Sequence, residues 1–168
     1  GIAVEGMRLG KEWLPAAVAD GKNLTARAFT LCAAHMGATA FQKGLGAIHS
    51  LSHPLGAVLD THHGLANGVF MPYVLAFNRS AIEAKMARVS RYLGLAKPDF
   101  DGMLVWVLAL RKEIGIPHTA RDLGMRDEHL DHFSEMAAAD PTAGSNPVPV
   151  GVPELRKLYQ AALSGRVG

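Results

Sequence analysis

The stretch Gly44–Asn78, GLGAIHSLSHPLGAVLDTHHGLANGVFMPYVLAFN, decides how this chain reads. It holds four of the eight histidines, at positions 49, 53, 62 and 63, and no lysine or arginine. Ala, Leu, Val and Gly surround them. Imidazoles gathered in an apolar, nearly uncharged segment predict a buried polar site, and the commonest work for several neutral imidazoles there is to hold a metal ion. His49 and His53 are four residues apart, so on a helix they share one face. His63 follows His49 by fourteen residues. On one straight helix that is roughly 21 Å, while His–metal bonds are about 2 Å. If His49 and His63 share an ion, the chain turns back between them. Pro54, Gly56, Asp60 and Gly64 are the residues available for that turn. The stretch therefore predicts two helices, roughly 45–59 and 64–76, with Gly68 and Pro72 weakening or kinking the second.

Outward from this stretch the spacing stays helical. Residues 2–18 carry Ile2, Met7, Leu9, Trp13, Leu14 and Val18 at mostly helical intervals, and Asp20-Gly21 ends the run. Asn23 or Thr25 is placed to cap a second helix through Ala40. That helix is apolar on nearly all sides, a pattern that predicts burial between other helices, with His35 as a core histidine. On the far side of the stretch, Ser80 is placed to cap a helix through Leu93 with Ile82, Met86, Val89 and Leu93 inward. Pro98-Asp99 opens another helix, which Gly115-Ile116-Pro117 ends. Asp127 is placed to cap a helix through Ala139. Residues 140–149, DPTAGSNPVP, are turn-formers and predict a loop, and Pro153 sits in the first turn of a last helix to about Leu163. No run alternates apolar and polar residues with β-branched enrichment, so the expected class is all-α, a compact array of about seven to eight helices without a sheet. Phe70, Met71, Tyr73 and Phe77 read as core, and His118, His129 and His132, in polar segments, as surface.

Composition narrows the function classes. The chain has 168 residues, of which 49% are apolar and 19% charged, with a net charge of +2. That length predicts one domain over residues 1–168 with a sizeable core. The basic residues are scattered, which argues against a nucleic-acid interface. Cys32 is the one cysteine, so an internal disulfide is excluded and a cytoplasmic setting is the default. No run approaches the ~20 apolar residues of a membrane span.

The pieces Gly44-Leu45-Gly46, His49, His53-Pro54-Leu55-Gly56-Ala57, His63-Gly64-Leu65-Ala66-Asn67 and the run from Pro72 to Asn78 closely resemble the histidine signature of the iron-containing (group III) alcohol dehydrogenases. Asn146-Pro147 matches a further short segment of that family. The resemblance implies a dehydroquinate synthase-like helical domain, the C-terminal metal-binding half of an enzyme whose N-terminal nucleotide-binding domain is missing from this chain. It implies that His49 and His63 are ligands of Fe²⁺, with Zn²⁺ a possible substitute. It places His53 beside the metal and near the nicotinamide of NAD or NADP, as a catalytic or proton-relay residue. His62 departs from the family, which commonly has proline there, and carries no family role.

In such a dehydrogenase the ion acts as a Lewis acid on an alcohol or carbonyl oxygen, and the cofactor does the hydride chemistry. The expected partners are therefore a small alcohol or aldehyde and, because a face that met the missing domain would be apolar, further copies of the chain as a homo-oligomer. The family's other two ligands, an Asp and a His four residues later, have no counterpart between Gly1 and Gly44. The chain alone is thus expected to bind metal weakly, or to recruit His53 or His62, and to lack dehydrogenase activity. Two alternatives stand beside this reading. One is a relative such as a maleylacetate reductase or a glycerol dehydrogenase-like enzyme, and the other a non-catalytic helical interaction domain.

Overall fold

In the computed structural model, which describes residues 1–168, eight α-helices and four short 3₁₀ turns make up the secondary structure, and there is no strand. The helices are α1 (Ile2–Ala19), α2 (Leu24–Ala40), α3 (Ala47–Leu59), α4 (His63–Phe77), α5 (Arg79–Tyr92), α6 (Phe100–Glu113), α7 (Leu130–Ala139) and α8 (Val152–Ser164). The all-α expectation holds. The chain divides into two compact units, residues 1–43 with 83–115, and residues 44–82 with 116–168.

The second unit carries the histidine stretch. Its core joins Leu51 and Leu55 of α3, Val69, Phe70 and Tyr73 of α4, Phe133 of α7 and Leu155 and Tyr159 of α8, all at most 2% exposed. Phe70 meets Tyr159 edge to face at 5.6 Å between ring centres, and the buried Tyr159 hydroxyl donates to the Leu51 carbonyl at 2.8 Å. α3 reverses into α4 through Asp60, which adopts the left-handed conformation at φ 52° and whose N–H returns to the Leu55 carbonyl. Asp tolerates that region better than most residues. His62 then caps α4, its Nδ1 accepting from the Leu65 N–H at 3.3 Å. α4 runs unbroken past Gly68 and Pro72. Gly68 marks a close approach instead, since a Cβ there would lie 2.8 Å from Ile116 Cδ1.

The start of α3 is capped by the 140–149 loop. Gly46, the residue before the helix, has no side chain to offer, and the donors are satisfied from far along the chain. Ser145 Oγ accepts from the Leu45 and Gly46 N–H groups at 3.1 and 3.0 Å, and Asn146 Oδ1 accepts from Ala47 N–H at 3.1 Å. Asn146 and Asn78 exchange reciprocal amide bonds of 2.8 and 3.0 Å, which tie the loop to the end of α4. Gly44, at φ 117°, admits this contact, since a Cβ would meet Ser145 Cβ at 2.6 Å.

In the first unit α1 and α2 pair closely. A Cβ on Gly6 would sit 3.1 Å from Met36 Cβ, and Trp13 stacks on Phe29 at 4.8 Å. Asn23 Oδ1 caps α2 by accepting from Ala26 N–H, and Asp99 Oδ1 caps α6 by accepting from Gly102 N–H. The expectation of a buried α2 is corrected. Ala26 is its one buried residue, while Leu24 and Leu31 are 79% and 73% exposed. An apolar helix with a single packed stripe leaves the rest of its surface bare, and His35 is exposed with it rather than in a core. Two capping expectations also change. α5 begins at Arg79 directly after Asn78, so Ser80 lies within its first turn, and Asp127 opens a 3₁₀ turn before α7.

Candidate metal centre

The reversal at Asp60 brings three imidazoles onto one face of the second unit. The ring centres of His49 and His63 are 5.2 Å apart, as are those of His53 and His63, and His49 and His53 are 6.0 Å apart. Fourteen residues of separation are thus closed by the α3–α4 turn. The face is more open than the apolar sequence predicts. His49 and His53 are half-buried, and His62 and His63 are exposed. The apolar residues of the stretch are spent on the opposite faces of α3 and α4, which form the core.

Asn67, one turn after His63, fixes what the rings point at. Its Nδ2 donates to His63 Nε2 at 3.0 Å and to His49 Nε2 at 3.3 Å. Both Nε2 atoms therefore carry lone pairs aimed at a common point. Ser52 explains the tautomer of His63. The Ser52 hydroxyl donates to the His49 carbonyl at 3.0 Å, so its oxygen faces His63 Nδ1, 3.5 Å away, as an acceptor. A proton on Nδ1 leaves Nε2 free, the arrangement that a histidine needs to bind a metal. The donor set fits part of a divalent site, with two imidazole nitrogens converging. No group of three or more His, Cys, Asp and Glu side chains does so.

Electrostatics keep these rings neutral. Burial lowers the pKa of His49, with the neighbouring His63 and His53 adding to the effect. The Leu45 backbone and Asp140 oppose it more weakly. Burial likewise lowers that of His63, followed by His53 and His62. A neutral imidazole is the form that binds a cation.

His53 has a different anchor. Its Nδ1 lies 2.6 Å from Asp140 Oδ2, and the other Asp140 oxygen accepts from the Thr142 N–H and hydroxyl. Burial pushes the Asp140 carboxyl up, but the Thr142 and His53 hydrogen bonds outweigh it and the net shift is downward. The carboxylate accepts the Nδ1 proton and leaves the His53 Nε2 lone pair outward. Sequence reading missed both Asp140 and this use of Asn67. Asp140 sits 87 residues from His53 in a Pro-rich turn, where an Asp reads as a turn former. Asn67 reads as part of a helical motif. Its signal was its place four residues after His63 on the same helix face. His62, a candidate substitute ligand, caps α4 through its Nδ1.

Residues 1–163 match the family described as Fe-containing alcohol dehydrogenase, C-terminal. Among curated proteins, the chain is similar to an NAD-dependent methanol dehydrogenase of Bacillus methanolicus, at 33% identity over 96% of this chain and 44% of that protein. Among solved structures, it is similar to a 1,3-propanediol oxidoreductase, with a TM-score of 0.91 and 31% identity over 96% of this chain and 44% of that one. It is also similar to a maleylacetate reductase of Rhizobium sp., with a TM-score of 0.80 and 29% identity over 99% and 46%. The chain thus spans less than half the length of these relatives.

Proposed function

Because this chain belongs to the Fe-containing alcohol dehydrogenase family, over the family's C-terminal part, we propose that it is the metal-binding half of an NAD(P)-dependent alcohol dehydrogenase. The observation that carries this reading is the convergence of the His49 and His63 Nε2 atoms on the Asn67 amide. In this reading His49 and His63 are two ligands of a divalent ion, Fe²⁺ with Zn²⁺ as a substitute, and the remaining ligands come from outside these 168 residues. The bound ion supplies Lewis-acid polarisation of a substrate oxygen. The chain's own residues do the rest. Ser52 holds His63 in the competent tautomer. Asp140 orients His53 through Nδ1 and leaves its Nε2 to accept or pass on a proton beside the reacting group, next to the nicotinamide. The substrate class is a small primary alcohol or diol and the matching aldehyde. The similarity to a maleylacetate reductase supports a second reading, reduction at a maleylacetate-like carbonyl by the same half-site. A single domain spanning 1–168 that works with a nucleotide-binding domain is part of the same proposal, as is a cytoplasmic, homo-oligomeric enzyme.

Calorimetric titration of the chain with Zn²⁺ tests the ligand assignment. Binding is expected to be weak, as two histidines provide half of a four-ligand site, and to disappear in His49→Ala and in His63→Ala. Unchanged binding in either variant overturns it. Turnover by the natural enzyme, assayed with simple alcohols, diols and maleylacetate, separates the two substrate readings.

A further inference from the structure

Resting on the reading of His53 as the residue that accepts or passes on a proton, we propose that Thr142 is its positioning residue. The Thr142 hydroxyl, acting through Asp140, keeps His53 Nε2 bare and its direction fixed. Two properties of the His53 ring matter for that task, its plane and its tautomer. The plane is set by His63, on which His53 stacks at 5.2 Å with 21° between the rings. The tautomer is not set by that contact. With the proton on Nε2 the ring has no lone pair there to accept another. An acceptor at Nδ1 keeps the proton on that side, and Asp140 Oδ2 stands 2.6 Å away in that place.

A carboxylate does this only if it is held. Asp140 follows α7 directly, and its side chain keeps 15% of its surface in water. Rotation about its Cα–Cβ or Cβ–Cγ bond would take Oδ2 off the ring. Thr142 opposes that rotation. Its hydroxyl and its backbone N–H both donate to Oδ1, at 2.5 and 2.8 Å. The two oxygens therefore have separate partners, Oδ1 the two donors of Thr142 and Oδ2 the ring. The hydroxyl bond is the shorter one, and an O–H bond to a carboxylate is among the stronger in proteins.

Thr142 is itself fixed, and by the helix that carries His53. Ser145 Oγ donates to the Thr142 carbonyl at 2.9 Å and accepts from the Leu45 and Gly46 N–H groups. One series of hydrogen bonds thus leaves the N-terminal end of α3, crosses Ser145, Thr142 and Asp140, and returns to α3 at His53, about two turns on. The same loop that caps α3 therefore also aims a side chain in its middle. The position calls for a hydroxyl. Valine has nearly the shape of threonine but would leave Oδ1 with the backbone N–H alone.

Nuclear magnetic resonance of the 168-residue chain labelled with ¹⁵N-histidine reads the tautomer directly, because protonated and bare ring nitrogens differ widely in ¹⁵N shift. Spectra are taken at alkaline pH, where the rings are neutral, and His53→Gln identifies the His53 signals. The unaltered chain is expected to hold His53 as Nδ1–H. Thr142→Val is expected to shift it toward Nε2–H, and Thr142→Ser to restore the first form. In the natural enzyme, Thr142→Val is expected to lower kcat about tenfold and to change KM for the alcohol less than about twofold, with kcat restored in Thr142→Ser. Circular dichroism shows which variants are folded. Should Thr142→Val not fold, Thr142→Ala takes its place, and an Nε2–H His53 in the unaltered chain overturns the proposal without any variant. An Nδ1–H form undisturbed in Thr142→Val also overturns it, as does a tautomer shift with full turnover. In that last case His53→Gln separates two failures. Full turnover there too means that the reading of His53 has failed, whereas lost turnover there keeps that reading and rejects Thr142 alone.

Discussion

At the scale of single residues, the site is set by which ring nitrogens are held and which are left open. His49 and His63 titrate below the ordinary 6.5, so the unfolded chain takes up their protons before the folded one does. Their contribution to stability is complete above pH 6.5 and is lost as the pH falls through the lowered values. Urea melts of the metal-free chain should therefore show stability declining from pH 7 to 5, with the decline shallower in His49→Gln. A slope unchanged by that substitution would contradict the assignment. The pairing of His49 with His63 was legible through the family resemblance, which names both; the fourteen-residue spacing alone required only that the chain turn back if the two were to meet. The anchors were not. Asp140 reaches His53 across 87 residues, and nothing local marks it. The openness of the histidine face was also hidden, because composition averages over a helix whose two sides differ.

At the scale of elements, α3 depends on a cap it does not carry. Asn146 Oδ1 satisfies Ala47 N–H while its amide pairs with Asn78, a residue only 5% exposed. Asn146→Ala removes the cap and strands part of the Asn78 amide. The expected loss is about 2 to 4 kcal/mol, combining a lost N-cap with a buried unsatisfied group. Chemical denaturation measures it. Asn146→Asp retains the capping oxygen and should lose less. Helix positions were largely readable, because helical spacing and punctuation by Gly, Pro and Asp agree along most of the chain. α2 was misread for a physical reason. Its pattern does not say which face has a partner, and Leu24, Leu31 and Phe41 remain exposed in a chain that offers them none.

At the scale of the whole molecule, those exposed apolar side chains predict behaviour in solution. Leu24, Phe29, Leu31 and Phe41 all belong to α2 and the turn after it, and each is at least 39% exposed. Apolar surface of this kind promotes association, so sedimentation of the isolated chain should show concentration-dependent dimers or larger species, reduced in Leu24→Ser/Leu31→Ser. A monomer at high concentration in both would count against it. No helix is long and apolar enough to cross a membrane. The turn at Asp60 has a further effect, on the order of assembly. His49 and His63 need a loop of fourteen residues, whereas Asp140 must close one of 87 and Asn146 one of 99. Chain entropy makes the 87-residue closure costlier by about 1.6 kcal/mol, and contacts close in sequence form sooner. During folding the hairpin of α3 and α4 thus brings His49 and His63 together early, and the Pro-rich loop arrives later to anchor His53 and close the start of α3.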